Sequence, residues 1–176
     1  DLNRNFNANW QIEDKSYNLS SADYRSPTYR GKNPESEPET KAVVNFINEV
    51  DPKVIFSYHC LSSVSADELL SAKSAKNDTL YMMLSNIIAE IYSDGYREAV
   101  NYPLKEDKSI KSFSSSGSLP EFAYAKGIPA FDLEICLDYE DMLNRCRTDT
   151  TTVETLEFAT RGHKNALIKI LEYFSK

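Results

Sequence analysis

The sequence predicts an α/β fold organised as one domain over residues 1–176. Two patterns carry that prediction. Short runs rich in β-branched and aromatic residues alternate with longer stretches of helical spacing, and two of those stretches open on a Ser-x-x-Glu capping signal. Size agrees, since 176 residues with 41% hydrophobic content suffice for one ordinary core.

Residues 1–35 are rich in Asn, Ser, Tyr and Pro without periodicity and read as a long loop, a length that usually signals function. Ser36 and Glu39 then form a capping box. Val43, Val44, Phe46, Ile47 and Val50 follow at helical spacing, so a helix is expected to close near Asp51-Pro52. Val54–Tyr58 reads as a buried strand that delivers His59 to its carboxyl end, where open α/β sheets collect ligands. A second helix is expected from Asn77 to Tyr92, with Leu80, Met83, Leu84, Ile87, Ile88 and Ile91 as its apolar stripe and Gly95 as its stop.

Residues 105–118 are polar and serine-rich, the pattern of a surface loop able to cover a substrate. Ser118 and Glu121 frame a second capping box around Pro120, opening a short helix that closes at Gly127. Ala130–Ile135 is the next strand, with Glu134 near its tip. A last helix runs from Thr151 to Phe174 and turns Leu156, Ala159, Leu167, Ile170, Leu171 and Phe174 toward the sheet.

Composition narrows the partners. A formal charge of -7 and a pI near 4.9 repel nucleic acid and anionic membrane surfaces. No apolar run approaches the roughly 20 residues of a membrane helix, which leaves peptides and proteins. Cys60, Cys136 and Cys146 are an odd number without CxxC spacing, the pattern of neither a disulfide framework nor a thiolate zinc site. Cys60 reads as structural, because it and His59 are neighbours on a strand and face opposite sides.

Three places carry chemistry: Asn3-Arg4 in DLNRNF, His59 after VIFSY, and Glu134 in FDLEI. Taken singly, Asn3 and Arg4 could bond loop carbonyls, and a lone histidine at a strand end is more often structural than a ligand. Glu134 is the rarer case, since burying a carboxylate among apolar residues requires a partner or a raised pKa. Their order supplies the specificity. DLNRNF, then SPTYRGKNPESEPETKAVVNFI, then a strand ending in one His, then GSLPEF and a strand ending in Leu-Glu resembles the zinc carboxypeptidase family along nearly the whole chain.

That resemblance implies a mixed sheet flanked by helices, with the N-terminal part of the fold missing, so that residues 1–176 are the C-terminal portion of one catalytic domain. It implies a metallocarboxypeptidase that hydrolyses C-terminal peptide bonds, with one zinc ion. His59 matches the family's second zinc histidine, while the His and Glu of its HxxE motif are expected upstream of Asp1, so the site in this chain is incomplete and the chain alone is expected to be inactive. Asp1 matches a residue that orients a zinc histidine, and Asn3 and Arg4 match the pair that binds the substrate's terminal carboxylate. Glu134 matches the general base that takes a proton from the metal-activated water.

Where the family carries a tyrosine on the loop before the Gly-Ser segment, the nearest residue is Phe113, whose ring cannot donate a hydrogen bond. Leu119 falls at the base of the specificity pocket and favours an apolar C-terminal side chain, although it also fits a core position at a helix start. The implied partner is a peptide with a free C-terminal carboxylate, cell-wall peptides included, and the implied location is secreted or extracytoplasmic. Two other readings compete: an aspartoacylase-type zinc deacylase, which shares a DLNR motif, and a non-catalytic peptide-binding module.

Overall fold

The computed structural model describes residues 1–11, 20–60, 68–100, 112–135 and 153–176. Four helices and four strands lie among them. In chain order these are α1 (Pro38–Val50), β1 (Ile55–Cys60), β2 (Glu68–Ala72), α2 (Thr79–Val100), β3 (Ser112–Ser114), α3 (Leu119–Tyr124), β4 (Ala130–Ile135) and α4 (Val153–Phe174). The strands pair in the order β1-β4-β2-β3, a mixed sheet flanked by helices.

α1 starts one residue later than the capping box predicts. Its N-cap is the extended Glu37, which makes no side-chain cap bond, and Pro38 occupies the first turn, where a ring that fixes φ needs no N–H partner. Ser36 is used elsewhere: its Oγ donates to Glu37 Oε1 at 2.7 Å and accepts from Asn5 Nδ2 at 3.1 Å. The C-terminus is as expected, with Asp51 left-handed at φ 47° and its N–H on the Ile47 carbonyl. Thr40, Val44 and Ile47 face inward, whereas Val43, Phe46 and Val50 lie outward at 39%, 63% and 51% exposure.

α2 departs most from the sequence reading. Asp78 caps it, accepting the Tyr81 N–H at 3.0 Å, and the helix runs through Gly95 to Val100. Gly95 is present because a neighbouring helix crosses closely: a Cβ there would sit 2.9 Å from the Cα of Ala166 on α4. The buried stripe is Tyr81, Ser85, Ile88, Tyr92 and Tyr96, while Leu80, Met83 and Ile87 are exposed. Tyrosines are amphipathic, so a count of aliphatic residues alone rotates the apparent face.

α3 keeps half of its predicted capping box. Ser118 accepts the Glu121 N–H, but the Glu121 carboxylate turns to the Ser74 N–H at 2.9 Å and Asn9 Nδ2 at 3.0 Å. β2 was not foreseen, and β3 falls inside the stretch read as loop; Ser114 Oγ donates to the Ser71 carbonyl. On α4, Ala166 and Ile170 are buried while Leu171 and Phe174 are 67% and 39% exposed.

The chain forms two compact units. The first comprises Asp1–Ser57, Leu70–Met82 and Phe113–Asp132, and the second Tyr58–Leu69, Met83–Ser112 and Leu133–Lys176. The first has its core around Phe6, Val44, Ile47, Leu119, Phe122 and Ala130. Ile88, Tyr92, Tyr96, Leu133, Ala166 and Ile170 are among the buried apolar residues of the second.

Candidate functional site

The DLNRNF motif forms a tight 3-10 turn over Leu2–Arg4, capped by Asp1, whose Oδ1 accepts the Asn3 N–H at 3.0 Å. One Arg4 guanidinium nitrogen donates to the Asn3 carbonyl at 2.6 Å, and Nε lies 3.9 Å from Asp1 Oδ2. The arginine is thus folded back along its own turn, with its position set before any ligand arrives.

Asn5, which sequence reasoning passed over, anchors this turn. It is fully buried, and its Nδ2 reaches the carbonyls of Arg30 and Asn33 at 2.8 and 2.9 Å while its Oδ1 accepts the Glu37 N–H at 3.1 Å. One amide therefore sews the turn to the approach of α1. The Phe6 N–H donates to Gly117, whose own N–H donates to Ala8. Gly117 has φ +71°, and a Cβ there would collide with the Arg4 carbonyl, so glycine is required on both counts.

The Asn3 amide is held on both sides. Its Oδ1 accepts the Leu119 N–H at 2.9 Å, and its Nδ2 donates to Asp132 Oδ2 at 2.8 Å. Asp132 is 3% exposed and sits in the middle of β4. The Leu119 side chain is 8% exposed and packs in the core around Phe6 and Phe122, so only its backbone reaches Asn3.

His59 and Glu134 belong to the second unit. The Ile55 N–H donates to the carbonyl of Pro129, which precedes β4, so the two strands begin together and run parallel. The stacking of Phe56 on Phe131 at 5.4 Å fits that alignment. Counted along a parallel ladder from that bond, Ser57 comes level with Asp132 and His59 level with Glu134. His59 is partly buried. The side chains of Phe113 and Glu134 lie outside the described residues.

The other histidine is committed elsewhere. His163 is 7% exposed on α4, its Nδ1 2.9 Å from the Tyr92 hydroxyl, which is 2.8 Å from the Tyr58 hydroxyl. The Tyr96 ring lies 4.8 Å away. Burial pushes the His163 pKa down to about 4 and raises that of Tyr58.

A sequence profile described as zinc carboxypeptidase matches residues 1–156. The chain belongs to the zinc carboxypeptidase family. It is 34% identical over 164 residues to human mast cell carboxypeptidase A, covering 89% of this chain and 37% of that protein. Human carboxypeptidase O is 28% identical over 167 residues, covering 89% of this chain and 41% of its own length. The chain thus spans about two fifths of these curated relatives. The crystal structure of carboxypeptidase A from Helicoverpa armigera has the same fold at a TM-score of 0.64 and 19% identity, covering 97% of this chain and 40% of that one.

Zinc is the metal of the family. Among the described residues of this chain, no group of three His, Cys, Asp or Glu could hold an ion, and the 176 residues contain no HxxE. His163 is buried with its Nδ1 on the Tyr92 hydroxyl, and His59 lies partly buried on the strand level with Glu134, where an imidazole has the donor chemistry of a zinc ligand. The donors described here suit one position of a zinc site.

Proposed function

We propose that the chain is the C-terminal portion of a single zinc carboxypeptidase catalytic domain, and that the whole protein releases the C-terminal residue of peptides bearing a free carboxylate. The observation that carries the reading is the parallel alignment of β1 with β4, which sets His59 level with Glu134 inside the stretch that matches the family. Zinc, when bound by His59 and by a His and a Glu outside these residues, polarises the scissile carbonyl.

The chain's own residues do the rest. Arg4 presents a planar fork of donors to the substrate's terminal carboxylate, and Asn3 adds an uncharged N–H. Glu134 takes a proton from the attacking water as its oxygen bonds to the carbonyl carbon, then gives that proton to the nitrogen as the C–N bond breaks. Asp1 keeps its carboxylate on the clamp turn. The Leu119 side chain, packed in the core, does not line the side-chain site. Phe113, without a hydroxyl, leaves the bound peptide one hydrogen bond short of a tyrosine enzyme.

In the natural full-length protein, Glu134→Gln should lower kcat at least about a hundredfold with zinc content unchanged. Turnover near the parent rate would remove Glu134 from the mechanism.

A further inference from the structure

We propose that Asp132 is a positioning residue of the carboxylate clamp: it locks the amide of Asn3 so that one N–H stays free for the substrate. The inference rests on the function proposed above.

An asparagine amide has two faces that differ only in which end donates, and it can rotate between them unless its neighbours discriminate. Here both neighbours do. The Leu119 N–H is a backbone donor that cannot be reversed, and it meets Asn3 Oδ1 at 2.9 Å. Asp132 offers a carboxylate oxygen, an acceptor, and it meets Asn3 Nδ2 at 2.8 Å. Turned over, the amide would set N–H against N–H and oxygen against oxygen, losing both bonds. Asp132 is itself 3% exposed on β4, so its oxygen cannot swing away with solvent.

Nδ2 carries two hydrogens, and Asp132 takes one. The second has no partner among the described residues, and Asn3 is only partly buried. Beside it, Arg4 is folded back onto the Asn3 carbonyl at 2.6 Å. The arrangement holds one free amide N–H next to a guanidinium, in an orientation reached before binding, so the carboxylate finds its donor without reorganising the turn. The bond to Leu119 also ties the clamp to the first residue of α3.

The experiment is a double-mutant cycle on the natural full-length protein, comparing KM for peptides with a free C-terminal carboxylate and for the same peptides amidated. Asp132→Ala and Asp132→Leu should raise KM for the free acid by about tenfold or more, leave kcat within about twofold, and leave the amidated peptide unchanged. Asp132→Asn, whose oxygen can accept the same bond, should stay near the parent. On an Asn3→Ala background the Asp132 substitutions should add nothing, because the effect passes through Asn3. KM does not depend on the fraction of enzyme that folds, so reduced yield does not blur the result.

Should the variants fail to fold, the unsubstituted protein still decides. On adding N-acetyl-leucine, one Asn3 Nδ2 proton resonance should shift and the other should not, while N-acetyl-leucine amide should move neither. Unchanged KM discrimination in the Asp132 variants, additive effects with Asn3→Ala, or equal shifts of both protons would overturn the inference. If the unsubstituted enzyme treats free acid and amide alike, the clamp itself falls, and Asp132's role with it.

Discussion

Asn5 shows how much of the clamp depends on a residue that contacts no ligand. Its buried amide satisfies the carbonyls of Arg30 and Asn33 and the N–H of Glu37, so removing it leaves several backbone groups without partners in a dry place. Asn5→Ala should therefore cost about 2–4 kcal/mol, read as a shift in the urea midpoint at constant slope. A loss under half that size would mean water replaces the amide. Arg4 belongs to the same scale but has a different signature: Arg4→Ala should raise KM chiefly for substrates with a free terminal carboxylate, and an equal loss on amidated peptides would argue against the clamp. DLNRNF displayed Asn3 and Arg4 in the sequence. Asn5 and Asp132 were not legible, since their partners are carbonyls, an N–H and an amide contributed by distant segments.

At the scale of elements, α2 and α4 meet around His163. Small residues permit the approach: a Cβ on Gly95 would meet Ala166, and one on Gly162 would meet the Tyr96 ring. The groups facing the imidazole are the hydroxyl of Tyr92 and the rings of Tyr58, Tyr92 and Tyr96, with no charged partner among the described residues. The fold accordingly keeps His163 neutral. An unfolded chain takes up a proton near 6.5, whereas the folded one resists until about 4. Stability is then full above pH 6.5, falls as pH drops toward 4, and levels off below, a difference of about 3 kcal/mol over the window. His163→Gln, which keeps a partner for Tyr92 but cannot titrate, should flatten that part of the stability profile. The same acid slope in the variant would assign it to other groups. The exposed face of α2, with Leu80, Met83 and Ile87, shows why the apolar stripe misled: tyrosine and serine hold the buried side.

At the scale of the whole molecule, the chain spans about two fifths of its curated relatives, and catalytic zinc takes three protein ligands. The 176-residue chain at neutral pH should accordingly bind zinc only weakly in titration calorimetry, and His59→Ala should weaken it further. Tight one-to-one binding abolished by His59→Ala would show that other residues of this chain complete the site, overturning the assignment of two ligands to residues outside it.

The sequence by itself determined the alternation of helix and strand, the strands that carry His59 and Glu134, and the family, because periodicity and ordered motifs are local or one-dimensional signals. Only the tertiary structure decided where α1 begins, which face of α2 is buried, why Gly95 does not end that helix, and what holds Asn3. Each of these depends on groups distant in sequence. Pro38 frees Ser36 to serve Asn5, Ala166 demands Gly95, and Asp132, far along the chain, orients Asn3 through a hydrogen bond that no spacing could announce.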